Sequence, residues 1–526
     1  MDNAPVIIFA VLTLAFYRLG SDMFEPKVGL VAAVLFNGLP IFAALSLVTL
    51  PDLPLLLMWV LGMAFGWRLV SQRKPALWIV VGVLTGLGCD AKYPALLIPL
   101  GIFLYLIVVR DWDMLFNRWM VLGALVAFVC FLPVIIWNFD HEWVSILFQG
   151  KERLPEAIST KERVGSWLIQ LGALSPFGFI ALLAALYRGA ESYRKPQVAY
   201  LLCWTLPFLG LMAFVSMRRG IHLNWPVPGY AGAVLLVSYV FVECSRRHPN
   251  RARLWAGLVL AGSALLWLPL YLGSIWPIPI LNSGDDVHGW KPMGSRMISL
   301  QEGMPDPPHT FLAGHGYQAA SMVAYYSKSP HITLSNNILG EKALGYDYFE
   351  QPRDFLSWDA VLMVYQTPRP DGSYRSRVAL DEPSLQAVFE KVEGPEVLDV
   401  NRGGRALRRY LFYRCYNYQG PKRKKGHSSA NNYERENYPL VCRCIRGVCD
   451  VTSMRRAFQA LFLFTALLVG PVLGQEQPDS EQLQADPSQV RIRYVFNRFK
   501  DSSGASYTAP GVITDVSVPL NHRFRI

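Results

Sequence analysis

The sequence predicts a polytopic α-helical membrane protein of about ten spans, with a small carboxy-terminal α/β extracytoplasmic domain. Three observations predict it. Of 526 residues, 52% are apolar and only 17% are charged, whereas a soluble domain carries about 25% charged residues. The mean hydropathy is +0.25. The apolar residues are also unevenly placed: residues 1–275 are apolar runs cut by short polar loops, and the pattern changes after them. Together these exclude a disordered chain and an ordinary soluble enzyme. The formal charge of +11 fits loops rich in Lys and Arg. No basic stripe interleaved with aromatics stands apart from the apolar runs, so nucleic acid is not indicated as a partner.

Spans are expected at 5–19, 28–50, 53–70, 76–90, 93–109, 119–137, 165–187, 197–216, 226–244 and 254–273. Each approaches the ~20 apolar residues that cross a bilayer. Pro40, Pro99 and Pro207 fall inside runs, where neighbouring helices can satisfy the backbone groups they free.

Charge sorts the loops into two sets. Alternate loops, from the first onward, hold Arg18, Lys27, Arg73, Lys74, Arg110, Arg118, Arg188, Arg194, Lys195, Arg246, Arg247, Arg251 and Arg253. The other set holds only Lys92, Lys151, Arg153, Lys161, Arg163, Arg218 and Arg219, with five Asp or Glu residues beside four of these. The excess of Lys and Arg assigns the first set to the cytoplasm. Met1 then starts outside, and a helix is expected upstream of it. The soluble domain is also outside.

Residues 276–419 read as a periplasmic α/β domain. Val361–Tyr365, Val397–Val400 and Ala406–Tyr413 are short strand-like runs between turn signals such as Thr367–Gly372. The stretch Gly314–Tyr326 reads as a plain turn leading into a helix, because its glycines do not complete a nucleotide-binding pattern. Residues 420–453 read as a disordered spacer, with a basic run at Lys422–Lys425. The spacing of Cys442, Cys444 and Cys449 fits a zinc site poorly. Residues 454–474 are laid out as a signal peptide, with Arg455 and Arg456 before an apolar run and Val472 and Gly474 at a cleavage-like end. Residues 475–526 then read as the start of an unrelated exported segment, joined to a first protein that ends near residue 419.

Polar groups at the edge of a bilayer are costly and are candidate functional groups by default. The candidates all fall in the extracytoplasmic loops: Asp52; Asp90 and Lys92; His141; and Arg218, Arg219, His222 and Asn224. Each has a plain alternative. Asp52 can cap the helix beginning at Leu53, Lys92 can snorkel to the interface, and Trp137 and Trp143 read as interfacial belt residues. Taken together, cations, carboxylates and an apolar groove between spans suit a lipid-linked phosphate. Cations hold its oxygens as it leaves, and a carboxylate takes the proton of an acceptor hydroxyl.

Four stretches resemble polytopic glycosyltransferases of family 39 type, the group of protein O-mannosyltransferases and lipid A aminoarabinose transferases. They are Leu50-Pro-Asp52-Leu-Pro; Gly86-Leu-Gly-Cys-Asp90-Ala-Lys92-Tyr93; Leu132–Ser145 with Phe148 and Gln149; and Asn224-Trp-Pro-Val-Pro228. The first is similar to the family's Thr-Pro-Asp, with Leu50 for Thr, and the second to its Ser-Lys-Tyr, with Ala91 for Ser. The resemblance implies transfer of a hexosyl or pentosyl group from a polyprenyl-phosphate-linked donor on the periplasmic face of a bacterial inner membrane. The acceptor would be an envelope glycolipid or protein. Asp52 would be the catalytic carboxylate, near the sugar or a divalent metal ion. Lys92, Asp90, His141, Arg218, Arg219, His222 and Asn224 would bind donor phosphate and sugar. The family's acidic loop after its first span, whose Asp is the proposed general base, has no counterpart here. The expectation is therefore a chain that lacks this base and is inactive as it stands. The alternatives are a transporter of lipid-linked precursors and a non-enzymatic envelope assembly protein.

Overall fold

The structure, a computed structural model, describes residues 4–47, 50–149, 159–218, 220–275, 288–369, 371–376, 380–421, 491–493, 496–500, 506–510 and 515–517. The chain is a multi-pass membrane protein. It opens with helices α1 (Ala4–Met23), α2 (Pro26–Gly38), α3 (Pro40–Leu47), α4 (Asp52–Ser71) and α5 (Leu77–Ala91). A 3₁₀ turn (Tyr93–Leu97) leads to α6 (Ile98–Val109), α7 (Trp112–Leu115), α8 (Arg118–Asp140) and α9 (Val144–Leu147). Then come α10 (Thr160–Leu174), α11 (Pro176–Glu191), α12 (Pro196–Arg218), α13 (Val227–Arg247) and α14 (Pro249–Ile275). Among the described residues six helices are long and apolar enough to cross a membrane, or eight if each of two bent pairs counts as one span; Leu77–Ala91 and Tyr93–Val109 are shorter apolar helices.

The bent pairs fall where single spans were expected at 28–50 and 165–187. The α2–α3 pair turns by 64° and the α10–α11 pair by 94°. Proline causes both breaks, since Pro40 and Pro176 lack the N–H that would continue a helix and bias the preceding residue away from helical geometry. Leu39 is extended, and Ser175 sits at φ 59°. Ser175 then caps α11, its hydroxyl accepting the Gly178 N–H.

Helix α4 is central. Trp59 stacks edge-on against Trp204, and the Tyr200 hydroxyl donates to the Met63 carbonyl. Helices α5 and α8 pack backbone to backbone: a Cβ on Gly82 would lie 2.1 Å from the Gly123 carbonyl oxygen, and one on Gly86 2.4 Å from the Cys130 Cβ. Small residues allow this close approach where lipid offers no hydrophobic drive for association.

The loops meet at two ends. Asp22 pairs with Arg68, Arg73 with Asp111, and Arg246 with Glu25, which ties together loops of the more basic set. The other set meets around Asp52.

Beyond the bundle lie α15 (Trp290–Glu302), β1 (Thr310–Gly314), α16 (Tyr317–Ser327), β2 (Thr333–Leu334), β3 (Asp359–Pro368), β4 (Tyr374–Ser376), α17 (Glu382–Gln386), β5 (Phe389–Arg402) and β6 (Arg405–Tyr418). The strands form one mixed sheet in the order β2-β1-β3-β6-β5, with β4 also on β3. The β1–β2 and β1–β3 pairs are parallel; β3–β6, β5–β6 and β3–β4 are antiparallel. Strand alternation splits the core between two faces. Leu312, Val361 and Met363 join Met293 and Val323 of α15 and α16, while Phe311, Ala313, Leu362 and Val364 join Phe389 and Tyr418. A Cβ on Gly314 would lie 2.3 Å from the Ala320 nitrogen, so glycine lets α16 start hard against β1. Cys415 is fully buried in β6, and burial pushes its thiol up from the usual range. It is a core residue with an inert thiol.

A second unit, Lys424–Ile526, is separate by contact. Its described parts are β7 (Arg491–Arg493) paired antiparallel with β10 (Asp515–Ser517), and β8 (Phe496–Lys500) paired antiparallel with β9 (Ser506–Pro510). The basic run, the cysteine cluster and the signal-peptide-like stretch lie outside the described residues.

Candidate active site

Asp52 is the first residue of α4, with Pro51 at the N-cap position and no side-chain cap hydrogen bond. Asp52 thus stands in the first turn of the helix and not at the N-cap position the sequence offered it. Asp52 is only 3% exposed, and each of its oxygens has its own partner. Oδ1 accepts from Lys92 Nζ at 2.8 Å, and Oδ2 accepts from Asn224 Nδ2 at 2.9 Å. The three residues come from the start of α4, the end of α5 and the turn before α13. The amino end of α4 adds a favourable partial positive charge for the carboxylate.

Lys92 ends α5 in an extended conformation (φ −165°, ψ 132°). This turns the chain into the Tyr93–Leu97 turn and points the lysine back to Asp52. The Lys92 side chain is 25% exposed, so the lysine is mostly covered but not sealed off. Asp52 takes one of the ammonium's three hydrogens.

The residue after Lys92 is anchored in turn. The Tyr93 hydroxyl lies 2.5 Å from Ser145 Oγ, and Ser145 Oγ donates to Asn138 Oδ1 at 2.6 Å. Asn138 is fully buried and spends its Nδ2 on the Val134 carbonyl. The Ser145 hydroxyl has one hydrogen and gives it to Asn138, so Tyr93 is the donor to Ser145. This chain fixes the Lys92–Tyr93 turn to the segment after α8. Sequence reasoning missed Ser145, which carries no pattern of its own in Trp143-Val-Ser-Ile-Leu147.

The other candidates are placed differently. Asp90 lies on the Gly82–Gly86–Asp90 face of α5, one turn beyond Gly86. Its two oxygens are buried and have no hydrogen-bond partner among the described residues. His141 is not joined to Asp52 by any described contact. Its Nδ1 bonds the Trp137 carbonyl, and its ring stacks on Trp137 at 4.2 Å and meets Tyr348 of the sheet domain at 5.5 Å. Lys342 of the same domain lies over the Phe148 ring. These contacts seat the sheet domain on the same end of the bundle as Asp52. His222 packs against Trp225 at 5.0 Å, two residues from Asn224. Arg218 ends α12, and Arg219 lies outside the described residues.

The described residues do not suit a divalent ion. No group of three His, Cys, Asp or Glu side chains converges among them, and both Asp52 oxygens already carry hydrogen bonds.

The family model for dolichyl-phosphate-mannose-protein mannosyltransferases matches residues 3–137. The lipid A galacturonosyltransferase RgtD of Rhizobium johnstonii is 25% identical over 273 residues, covering 50% of this chain and 54% of that protein. The chain thus spans about half the length of this curated relative. Among solved structures, ArnT from Cupriavidus metallidurans bound to undecaprenyl phosphate matches with a TM-score of 0.49 at 13% identity, over 78% of this chain and 83% of that one. The Archaeoglobus fulgidus oligosaccharyltransferase in its apo form matches with a TM-score of 0.39 at 12% identity, over 72% of this chain and 63% of that one. Asp52, Lys92 and Tyr93 all fall inside the matched segment, residues 3–137, and the matching family is of the polytopic glycosyltransferase type that the motifs resemble.

Proposed function

Against the expectation of an inactive chain, we propose that the protein moves a sugar from a polyprenyl-phosphate donor to an envelope glycolipid, at the end of the bundle that carries the sheet domain, with water or another carboxylate in place of the missing loop Asp. The observation that supports this most is the Asp52–Lys92–Asn224 constellation, a buried carboxylate that orients a mostly covered lysine at a helix end. In this reading the open side of Lys92 takes a donor phosphate oxygen while Asp52 fixes its direction. A charge-assisted hydrogen bond of this kind strengthens as negative charge gathers on the leaving group. The acceptor oxygen forms a bond to the anomeric carbon, the bond from that carbon to the phosphate oxygen breaks, and the phosphate keeps the electron pair. The proton from the acceptor hydroxyl goes to a carboxylate or to water. Asp52 is a poor choice for that proton, because both its oxygens are engaged. Its role here is to place Lys92.

The glycolipid acceptor is supported by the name of the galacturonosyltransferase relative. The family's periplasmic site and the thirteen-to-seven bias of Lys and Arg between the two loop sets support an inner-membrane location with the sheet domain in the periplasm. By the same reading, residues 1–275 are the transferase bundle and 276–419 its periplasmic domain.

The test uses the full chain in lipid nanodiscs, with labelled polyprenyl phosphate for binding and a polyprenyl-phosphate sugar for turnover. Saturable binding that Lys92→Ala removes, together with release of polyprenyl phosphate, supports the proposal. Binding without release would keep the donor site but replace catalysis with an assembly role. Absence of both would end the proposal.

A further inference from the structure

The turn carrying Asn224 is gripped from one side by a helix that none of the site motifs includes. Gln170 of α10 is fully buried, and both ends of its amide are used. Its Oε1 accepts from the Tyr230 hydroxyl at 3.0 Å, and its Nε2 donates to the His222 carbonyl at 3.4 Å. The carbonyl can only accept, so the NH₂ end of the amide must face it. One turn earlier on the same helix face, Ser166 Oγ accepts the Ile221 N–H at 3.2 Å. Two consecutive backbone groups of the turn, the 221 N–H and the 222 C=O, are thus held by one helix. Two residues on, Asn224 reaches Asp52.

We propose that Gln170 is a positioning residue for the candidate site. Together with Ser166 it fixes the 221–224 turn so that the Asn224 amide meets Asp52, and through Asp52 it sets the direction of Lys92. Three observations support this. An amide inside an apolar run is costly unless it is satisfied, and this one is satisfied by the turn and by the helix that follows the turn. Helix α10 can present Ser166 and Gln170 there because the chain breaks by 94° at Ser175–Pro176 rather than continuing as one straight span. The break is itself fixed from α14, with Ser263 Oγ donating to Ser175 Oγ at 3.2 Å. Gln170 touches no reacting atom, so its effect passes through Asn224.

This inference rests on the transfer reading for its kinetic readout, and a second readout is independent of activity. In nanodiscs, Gln170→Leu lowers kcat/KM for release of polyprenyl phosphate by roughly ten- to a hundredfold, the scale of a misplacement of up to about 1 Å. Gln170→Glu, which sets an acceptor against the His222 carbonyl, falls as far. Tyr230→Phe, which removes only the bond to Oε1, costs about two- to threefold. The Gln170→Leu/Asn224→Ala double variant is no slower than Asn224→Ala alone, because both act through one contact. A purely structural role would instead multiply the two losses.

The independent readout is acylation of Lys92 by an amine reagent, followed by mass spectrometry. Lys92, 25% exposed and paired with Asp52, labels slowly in the wild type, and Gln170→Leu and Asn224→Ala speed its labelling to the same extent. If the wild type releases no polyprenyl phosphate, the transfer reading fails and the labelling alone decides the placement. Labelling that rises in Asn224→Ala but not in Gln170→Leu overturns the proposal, as does a Gln170→Leu enzyme with the wild-type rate. If Gln170→Leu does not fold, Ser166→Ala, which loses the Ile221 contact, is judged by the same labelling comparison.

Discussion

The bundle and the sheet domain bury charge in opposite ways. In the bundle, Asp52 is buried against a lysine and an asparagine from two other helix ends, and every group in the cluster is polar. In the sheet domain, Arg408 is 1% exposed, and its guanidinium lies over the Trp290 ring at 4.2 Å and near the Tyr365 ring at 5.7 Å. The sheet domain places its carboxylate–arginine pairs at the surface, as with Asp399 and Arg409. A water-exposed fold can spread ion pairs over its surface at little cost or gain. The bundle also carries partly exposed pairs at its more basic end, such as Arg73–Asp111, so it is the burial of Asp52 against Lys92 at the other end that sets this pair apart and points to use. The Arg408 cage points to packing.

The comparison breaks most sharply at Lys92. Lys92→Met leaves Asp52 buried with one partner fewer, and removing one side of a buried pair costs about 3–5 kcal/mol. Asp52→Asn/Lys92→Met removes both charges and recovers most of that loss. Donor binding is lost in both variants. Melting in detergent beside a donor-binding assay reads the two effects separately. A Lys92→Met protein as stable as wild type would mean that the pair does not hold the helix ends together, and the contrast with the sheet domain would fall.

Arg408 is expected to give the next largest effect. Arg408→Ala empties a site beneath two aromatic rings, at a cost of about 2–4 kcal/mol on the scale of large-to-small core changes. Arg408→Met refills the volume without a charge and recovers most of the stability, since apolar replacement of a buried ion is often neutral. Donor binding per folded molecule does not change. Unfolding followed by near-ultraviolet circular dichroism, with donor binding measured on the folded fraction, checks this. A loss of binding in the folded Arg408→Met protein would give the cage a part in the site.

The apolar runs made the bundle legible, because a span needs about 20 apolar residues and few other structures do. The breaks at Leu39–Pro40 and Ser175–Pro176 were only partly legible. Proline inside a membrane run is compatible with a kink or a break, and the packing around it decides. The meeting of Asp52, Lys92 and Asn224 spans 40 and 172 positions of sequence. No spacing rule reaches that far; the loop charge bias, which put them on one face, and the family resemblance grouped them. Both also grouped His141 with them, whereas the structure packs that ring with Trp137 and Tyr348. Gln170 left a faint signal as the one amide in Trp167-Leu-Ile-Gln-Leu171. In the sheet domain, strand alternation requires Arg408 and Arg409 to face opposite ways. The sequence does not say which one is buried, because that depends on Trp290 lying 118 positions away.

The smallest effects come from two carboxylates of the sheet domain, Asp399 at the surface and Asp347 partly buried, and their signs differ. Hydrogen bonds from Arg409 hold the Asp399 carboxyl below its usual range. Its contribution to stability is therefore present above the unfolded value of about 3.9 and is lost as pH falls through the lower folded value. Burial pushes the Asp347 carboxyl up, against the Ala343 N–H bond and the nearby Lys342. Its contribution is complete below about pH 3.9 and is lost as pH rises through the raised folded value. Asp399→Asn should therefore leave melting near pH 7 almost unchanged, as expected for an exposed pair, and flatten only the acid limb. Asp347→Asn should flatten the fall on the rising side of pH 4 and raise the melting temperature slightly at pH 7. Melting curves from pH 3 to 8 distinguish the two variants. An Asp399→Asn protein much less stable at pH 7 would show a surface pair that matters as much as the buried one in the bundle, and the distinction drawn between the two regions would no longer hold.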